Sequence, residues 1–151
     1  MKTLFSALVA VLAVGAVACA PSEQFVGLWT GSGTATFALQ TPNGPQSVVY
    51  PLSNDSVTIV DGAATDVVFN WQGCNVPGSV KEELTTFTPG YVCTLTRPEG
   101  TFVYTFNAGN AAVTQTSINM TASGPVSITQ RGATYPGTFT LQEQLTKVGK
   151  N

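Results

Sequence analysis

Gly27-Leu28-Trp29-Thr30-Gly31-Ser32-Gly33-Thr34-Ala35-Thr36-Phe37-Ala38-Leu39 decides the fold class of this chain. The odd positions Trp29, Ala35, Phe37 and Leu39 are apolar, and Thr30, Ser32, Thr34 and Thr36 between them are polar. A period of two is that of a half-buried strand, because successive side chains point to opposite faces of a sheet. Gly31 and Gly33 fall on the apolar side, where glycine permits a sharp bend or the close approach of another chain.

Working outward, 21 threonines follow Cys19, and Gly and Pro punctuate the chain about every ten residues. That combination favours many short strands. Further strands are expected over Ser47–Leu52, Val57–Val60, Asp66–Gln72, Tyr91–Thr96, Thr101–Asn107, Ala112–Thr116, Ser117–Ala122, Val126–Gln130 and Gly137–Lys147. Their breaks carry turn residues, as in Thr41-Pro42-Asn43-Gly44-Pro45, Asn54-Asp55, Ala108-Gly109-Asn110 and Ser123-Gly124-Pro125, and Arg97-Pro98-Glu99-Gly100 reads as a hairpin. Only Val80–Leu84 could hold a helical turn. The expected fold is all-β: an antiparallel up-and-down barrel of about eight to ten strands, with a two-sheet sandwich as the alternative.

Gly27-Leu28-Trp29, near the start of the first strand, resembles the Gly-x-Trp signature of lipocalins and the related avidin-like barrels. The resemblance implies a Trp plugging one end of the barrel, commonly faced by an arginine from a late strand. Here the final strand carries no arginine, and Arg131 in the preceding turn is the nearest. No ligand site is carried over from those families.

At the N-terminus, Lys2 precedes an uncharged apolar run from Leu4 to Ala18. The run is shorter than the ~20 residues a spanning helix needs and suits the apolar region of a cleaved export signal. Gly15-Ala16-Val17-Ala18-Cys19 resembles the lipobox of bacterial lipoproteins, with Ala16 standing where leucine is commonest. The resemblance implies cleavage after Ala18, a thioether-linked diacylglyceryl group on Cys19 and a further acyl group, palmitate being typical, on the new amine. An ordinary secretory signal cut nearby is the alternative. Two or three chains anchor stably where one binds only reversibly. Ala20 is not aspartate, which by analogy favours the outer over the inner membrane. The expected organisation is a signal peptide over 1–18, a lipidated tether over 19–24 and one all-β domain over 25–151.

Removal of residues 1–18 leaves five basic side chains, Lys81, Arg97, Arg131, Lys147 and Lys150, scattered against eight acidic ones. Nucleic-acid binding needs clustered cations, so that class of partner is excluded. With Cys19 lipidated, Cys74 and Cys93 remain, and an oxidising envelope would pair them. The alternative, a metal site, has no histidine to complete it.

The absence of histidine also removes the base that a serine nucleophile needs. Lys81 beside Glu82 and Glu83 reads as solvated. Asp55, Asp61 and Asp66 could in principle do acid–base work or bind calcium, yet Asn54-Asp55-Ser56 and Asp61-Gly62 are turn sequences. No cofactor and no enzymatic activity are expected. Glu143 shares its side of the last strand with Phe139, Leu141 and Leu145; facing inward it would need protonation or a partner such as Arg97 or Arg131. Its position near the strand's end favours the reading that it reaches water.

Aromatic residues on one face usually build core, but a small barrel can also enclose one ligand. Trp29, Phe37, Phe102, Tyr104 and Phe106 are the candidate lining, and Trp71 is expected to pack near the disulfide. The functional expectation is a lipid-anchored β-barrel of the bacterial envelope, a binding or structural module. Its partners would be the membrane, through its lipid, and an envelope protein or, in a carrier reading, a small apolar ligand.

Overall fold

The computed structural model describes residues 21–148; the expected signal, cleavage site and Cys19 lie outside them. Pro21–Gln24 makes one 3-10 turn where the sequence suggested a plain tether. Ten strands follow: β1 (Gly27–Thr41), β2 (Gly44–Asp61), β3 (Val67–Trp71), β4 (Cys74–Lys81), β5 (Leu84–Phe87), β6 (Tyr91–Arg97), β7 (Gly100–Phe106), β8 (Ala108–Val113), β9 (Ser117–Gln130) and β10 (Ala133–Lys147). The fold is all-β, as its alternating pattern dictates.

All pairings are antiparallel, and β9 pairing with β10 closes β1, β2, β3, β4, β5, β8, β9 and β10 into a ring. The connectivity departs from a plain up-and-down barrel, because β5 pairs with β8 and the β6–β7 hairpin lies between them in sequence. That hairpin branches from β9: β8 takes Ile118–Ser123 of one edge, and β7 takes Val126–Thr129 of the same edge. Pro125 sits at the change of partner, where a residue without an N–H leaves no donor unmet. This is why Ser123-Gly124-Pro125, expected to break the chain into two strands, is instead continuous strand.

The Asn54-Asp55 break is absorbed in a similar way. Gly31 faces Asp55 while Ser32 faces Ser53, so Asn54 is an extra residue, held at φ 54°. Asn tolerates that left-handed conformation better than most residues, and the bulge reverses which positions face inward. Below it Val57 and Ile59 are buried; above it the even positions Val48, Tyr50 and Leu52 turn inward. The two strands expected here are thus one. Val80–Leu84, the candidate helical turn, is the end of β4, a tight turn with Glu82 at φ 57°, and the start of β5. Ala108-Gly109-Asn110, expected as a turn, starts β8.

Cys74 and Cys93 form a disulfide, with Cα atoms 5.7 Å apart, that ties the start of β4 to the hairpin. Trp71 pairs with Cys74 and so packs beside it. The closed end of the ring is filled by Phe25, Trp29, Ile59, Val67 and Leu145, all without exposure. Trp29 Nε1 donates to Phe25 O at 2.7 Å, and Lys147 Nζ stands 5.1 Å from the Trp29 ring centre. The cation over Trp29 is a lysine from β10, not Arg131.

Candidate functional site: an aromatic cleft at the open end

Two strand edges have no partner among the described residues at the other end. β2 pairs with β3 only over Val57–Asp61, so its upper half pairs with β1 alone, and β6 pairs only with β7. Pro45 and Pro51 in the free part of β2 fit such an edge, where a missing donor breaks no ladder. Between the two edges lies a cleft of about 320 Å³. Phe37, Tyr50, Trp71, Phe102 and Tyr104 give its aromatic lining, and Arg97 stands among its polar groups. A second opening of about 400 Å³, reached past the Thr41–Gly44 turn, shares Phe37, Tyr50, Phe102 and Gln130 with it. The two together form a cup open at the side and top.

The rings are set by local register. Phe37 meets Tyr50 edge-on at 5.7 Å and Tyr104 at 6.2 Å, and Phe102 stacks nearly parallel on Tyr104 at 6.3 Å. Tyr50 is 56 % exposed although it lines the cleft, because no described residue covers it across the opening. Burial pushes the Tyr104 hydroxyl above the usual phenol range; Arg97 opposes that shift and Tyr50 adds to it.

The cleft floor is held by a chain of polar contacts. Asp55 accepts from Trp71 Nε1 at 2.9 Å through Oδ2, and from Gln72 Nε2 at 2.8 Å and the Ser56 N–H at 2.9 Å through Oδ1. Gln72 Oε1 in turn accepts from Arg97 at 2.6 Å. Arg97 thus braces the end of β6 against the β3–β4 turn.

Of the residues singled out for ligand contact, Phe37, Phe102 and Tyr104 come together at the cleft. Phe106 lies deeper, 1 % exposed and packed edge-on against Trp71, Phe87 and Phe139. Trp29 is at the closed end and lines neither opening. Tyr50 joins the cleft rings because the bulge at Asn54 sets its facing, which no local pattern shows, and Trp71 lines the cleft as well as packing beside the disulfide.

Glu143 departs from the water-reaching reading. It is 4 % exposed, and neither carboxyl oxygen has a hydrogen-bond partner among the described residues. Burial first, then the nearby Asp55 carboxylate, push its pKa up to about 8; the Trp71 indole acts the other way. Neither arginine reaches it.

The three aspartates do not converge. Asp55 belongs to the floor network, Asp66 accepts the Val80 N–H at 2.7 Å, and among the described residues no three potential ligand side chains gather to hold a metal. Neither Asp55 nor Glu143 lines the cleft. The arrangement can hold an aromatic or aliphatic body against rings, with hydrogen bonds from Arg97 or the tyrosine hydroxyls at its edge. Comparison with protein-family models, with curated proteins and with solved structures finds no match for this chain.

Proposed function

We propose that this chain is a non-enzymatic, lipid-anchored binding module of the bacterial cell envelope whose cleft takes a small, largely apolar ligand. The observation that carries the reading is the contrast within one barrel. The closed end is packed without exposure around Trp29, while five rings at the other end line an opening between two unpaired strand edges. A protein whose interior served packing alone would gain by closing those edges, since unpaired strands invite association.

The anchor is proposed from Gly15-Ala16-Val17-Ala18-Cys19, and the outer membrane from Ala20. The described chain begins beside Phe25 and Trp29, at the closed end. A tether as short as residues 19–24 would hold that end at the membrane and turn the cleft toward the aqueous side. The ligand would then arrive through water and not by lateral entry from the bilayer.

Native mass spectrometry of the gently purified mature protein tests the reading. A bound small molecule, lost from Phe102→Ala, is the expected result; repeated recovery of mass-pure apoprotein from its native membrane counts against it. The anchor is tested separately by Cys19→Ala, which should move the protein from the membrane to the periplasmic fraction.

A further inference from the structure

Among the described residues, one buried acidic side chain, Glu143, is not used by the cleft itself. Glu143 on β10 pairs with Gly33 on β1, and a β-carbon on Gly33 would come within 2.6 Å of Glu143 Cγ. Gly31, one inward position along, pairs with both Leu145 and Asp55. Gly33 thus leaves room on the inner face of β1 for the Glu143 side chain, and Asp55, opposite Gly31 on β2, is the carboxylate that acts on it.

The remaining neighbours are apolar or neutral. By register, β9 presents Met120 and β2 presents Leu52 beside Gly33, while β3 contributes the Trp71 indole. Among the described residues, Asp55 is therefore the one charged group that acts on Glu143. Arg97 bonds to Gln72 and Tyr104 meets the Trp71 ring edge-on, and the groups that act on Glu143 are Asp55 and Trp71 alone. Asp55 Oδ2 accepts one hydrogen bond, from Trp71, and so has capacity for another.

We propose that Glu143 is a proton-operated latch on the cleft: as a neutral acid it shares its proton with Asp55 and steadies Trp71 and Gln72, and on losing that proton to solvent it loosens them. The ionised form would set a second negative charge against Asp55 in a buried site, which low-dielectric surroundings make costly. Relief requires one carboxylate to move or water to enter, and either disturbs the bonds from Asp55 to Trp71 and Gln72. Through Gln72 the disturbance reaches Arg97 and the free edge of β6.

The latch rests on the cleft being a binding site, and the test separates the two. Tryptophan emission of the mature protein and its affinity for the fluorescent probe 1-anilinonaphthalene-8-sulfonate are followed from pH 6 to 9.5. Both should change with a common midpoint near pH 8. A fall in probe affinity of about tenfold would, by reciprocal linkage, accompany a rise of about one pH unit in the midpoint when probe is bound.

Glu143→Gln should abolish both changes, and Asp55→Asn should move the midpoint to lower pH, which keeps the test open if one variant fails to fold. Flat wild-type profiles, or an unaltered response in folded Glu143→Gln, overturn the latch. Absence of probe binding at pH 6 alongside a normal emission titration overturns the binding reading instead, and with it any control of binding by Glu143.

Discussion

Glu143 and Gly33 face each other across the β10–β1 pair, the carboxyl-bearing side chain filling the space that a Gly33 side chain would need. The same site brings β1 so close to β10 that a β-carbon on Gly33 would lie 2.0 Å from the Gln142 carbonyl oxygen. Gly33→Ala should therefore cost about 1–3 kcal/mol, the usual range for forcing added volume into packed surroundings. Because the Gln142 contact is to backbone, trimming Glu143 to Ala should not restore the loss. Urea midpoints of the single and double variants check this.

Burial of Glu143 couples stability to pH in a defined direction. Its folded pKa of about 8 exceeds the ordinary 4.5. Below pH 4.5 both states hold the proton; between 4.5 and 8 the unfolded chain releases it first, so stability falls as pH rises and levels off above 8. At about 1.4 kcal/mol for each unit, this one group contributes on the order of a few kcal/mol across that window. Glu143→Gln should match wild type near pH 4 and exceed it by several kcal/mol at pH 9. Denaturant titrations at pH 4, 7 and 9 would show it, and parallel curves for the two proteins would refute it.

The disulfide holds a hairpin that the sheet grips by one edge only. β7 pairs with four residues of β9 and β6 with β7 alone, so Cys93 is the hairpin's covalent tie to β4. Replacing both cysteines with serine should lower stability by about 3 kcal/mol on the loop-entropy account for a 19-residue separation. Amide exchange should rise first in Tyr91–Arg97; uniform loss of protection across the ring would show that the hairpin is held by other means.

At the closed end, Lys147 over Trp29 is a cation–π contact that also places Nζ 3.3 Å from Gln24 O. Lys147→Met keeps most of the aliphatic stem and removes the charge. The expected cost is about 0.5–1 kcal/mol, with little change in probe binding at the far end. A large effect on the cleft would mean that the two ends are coupled.

In the cleft, Phe102 is half-buried, so Phe102→Ala should weaken probe binding by roughly tenfold or more while costing less stability than Phe106→Ala in the packed core, where about 3–5 kcal/mol is usual. Isothermal titration and thermal melts on both variants distinguish a lining role from a packing role.

Much of the fold is legible in local pattern. The alternation from Trp29 to Leu39 places β1 and its buried face, and the Arg97–Gly100 turn joins β6 to β7 as its residues suggest. Two turn-like segments depart from that pattern for one reason. Asn54-Asp55 and Ser123-Gly124-Pro125 have the composition of turns, yet each is spanned by a strand whose neighbours supply the bonds that the local sequence cannot. Composition reports what a residue tolerates, not whether a second strand lies alongside.

Period, residue type and count are enough to read the all-β class, the inward face of β1 and the two cysteines that remain beside Cys19. Which rings share an opening, and that Glu143 is buried, are set by contacts between strands. Those depend on one extra residue at Asn54 reversing the facing of β2 and on Gly33 admitting the Glu143 side chain from β10. Both are contacts between segments far apart in the chain, and no local pattern records them.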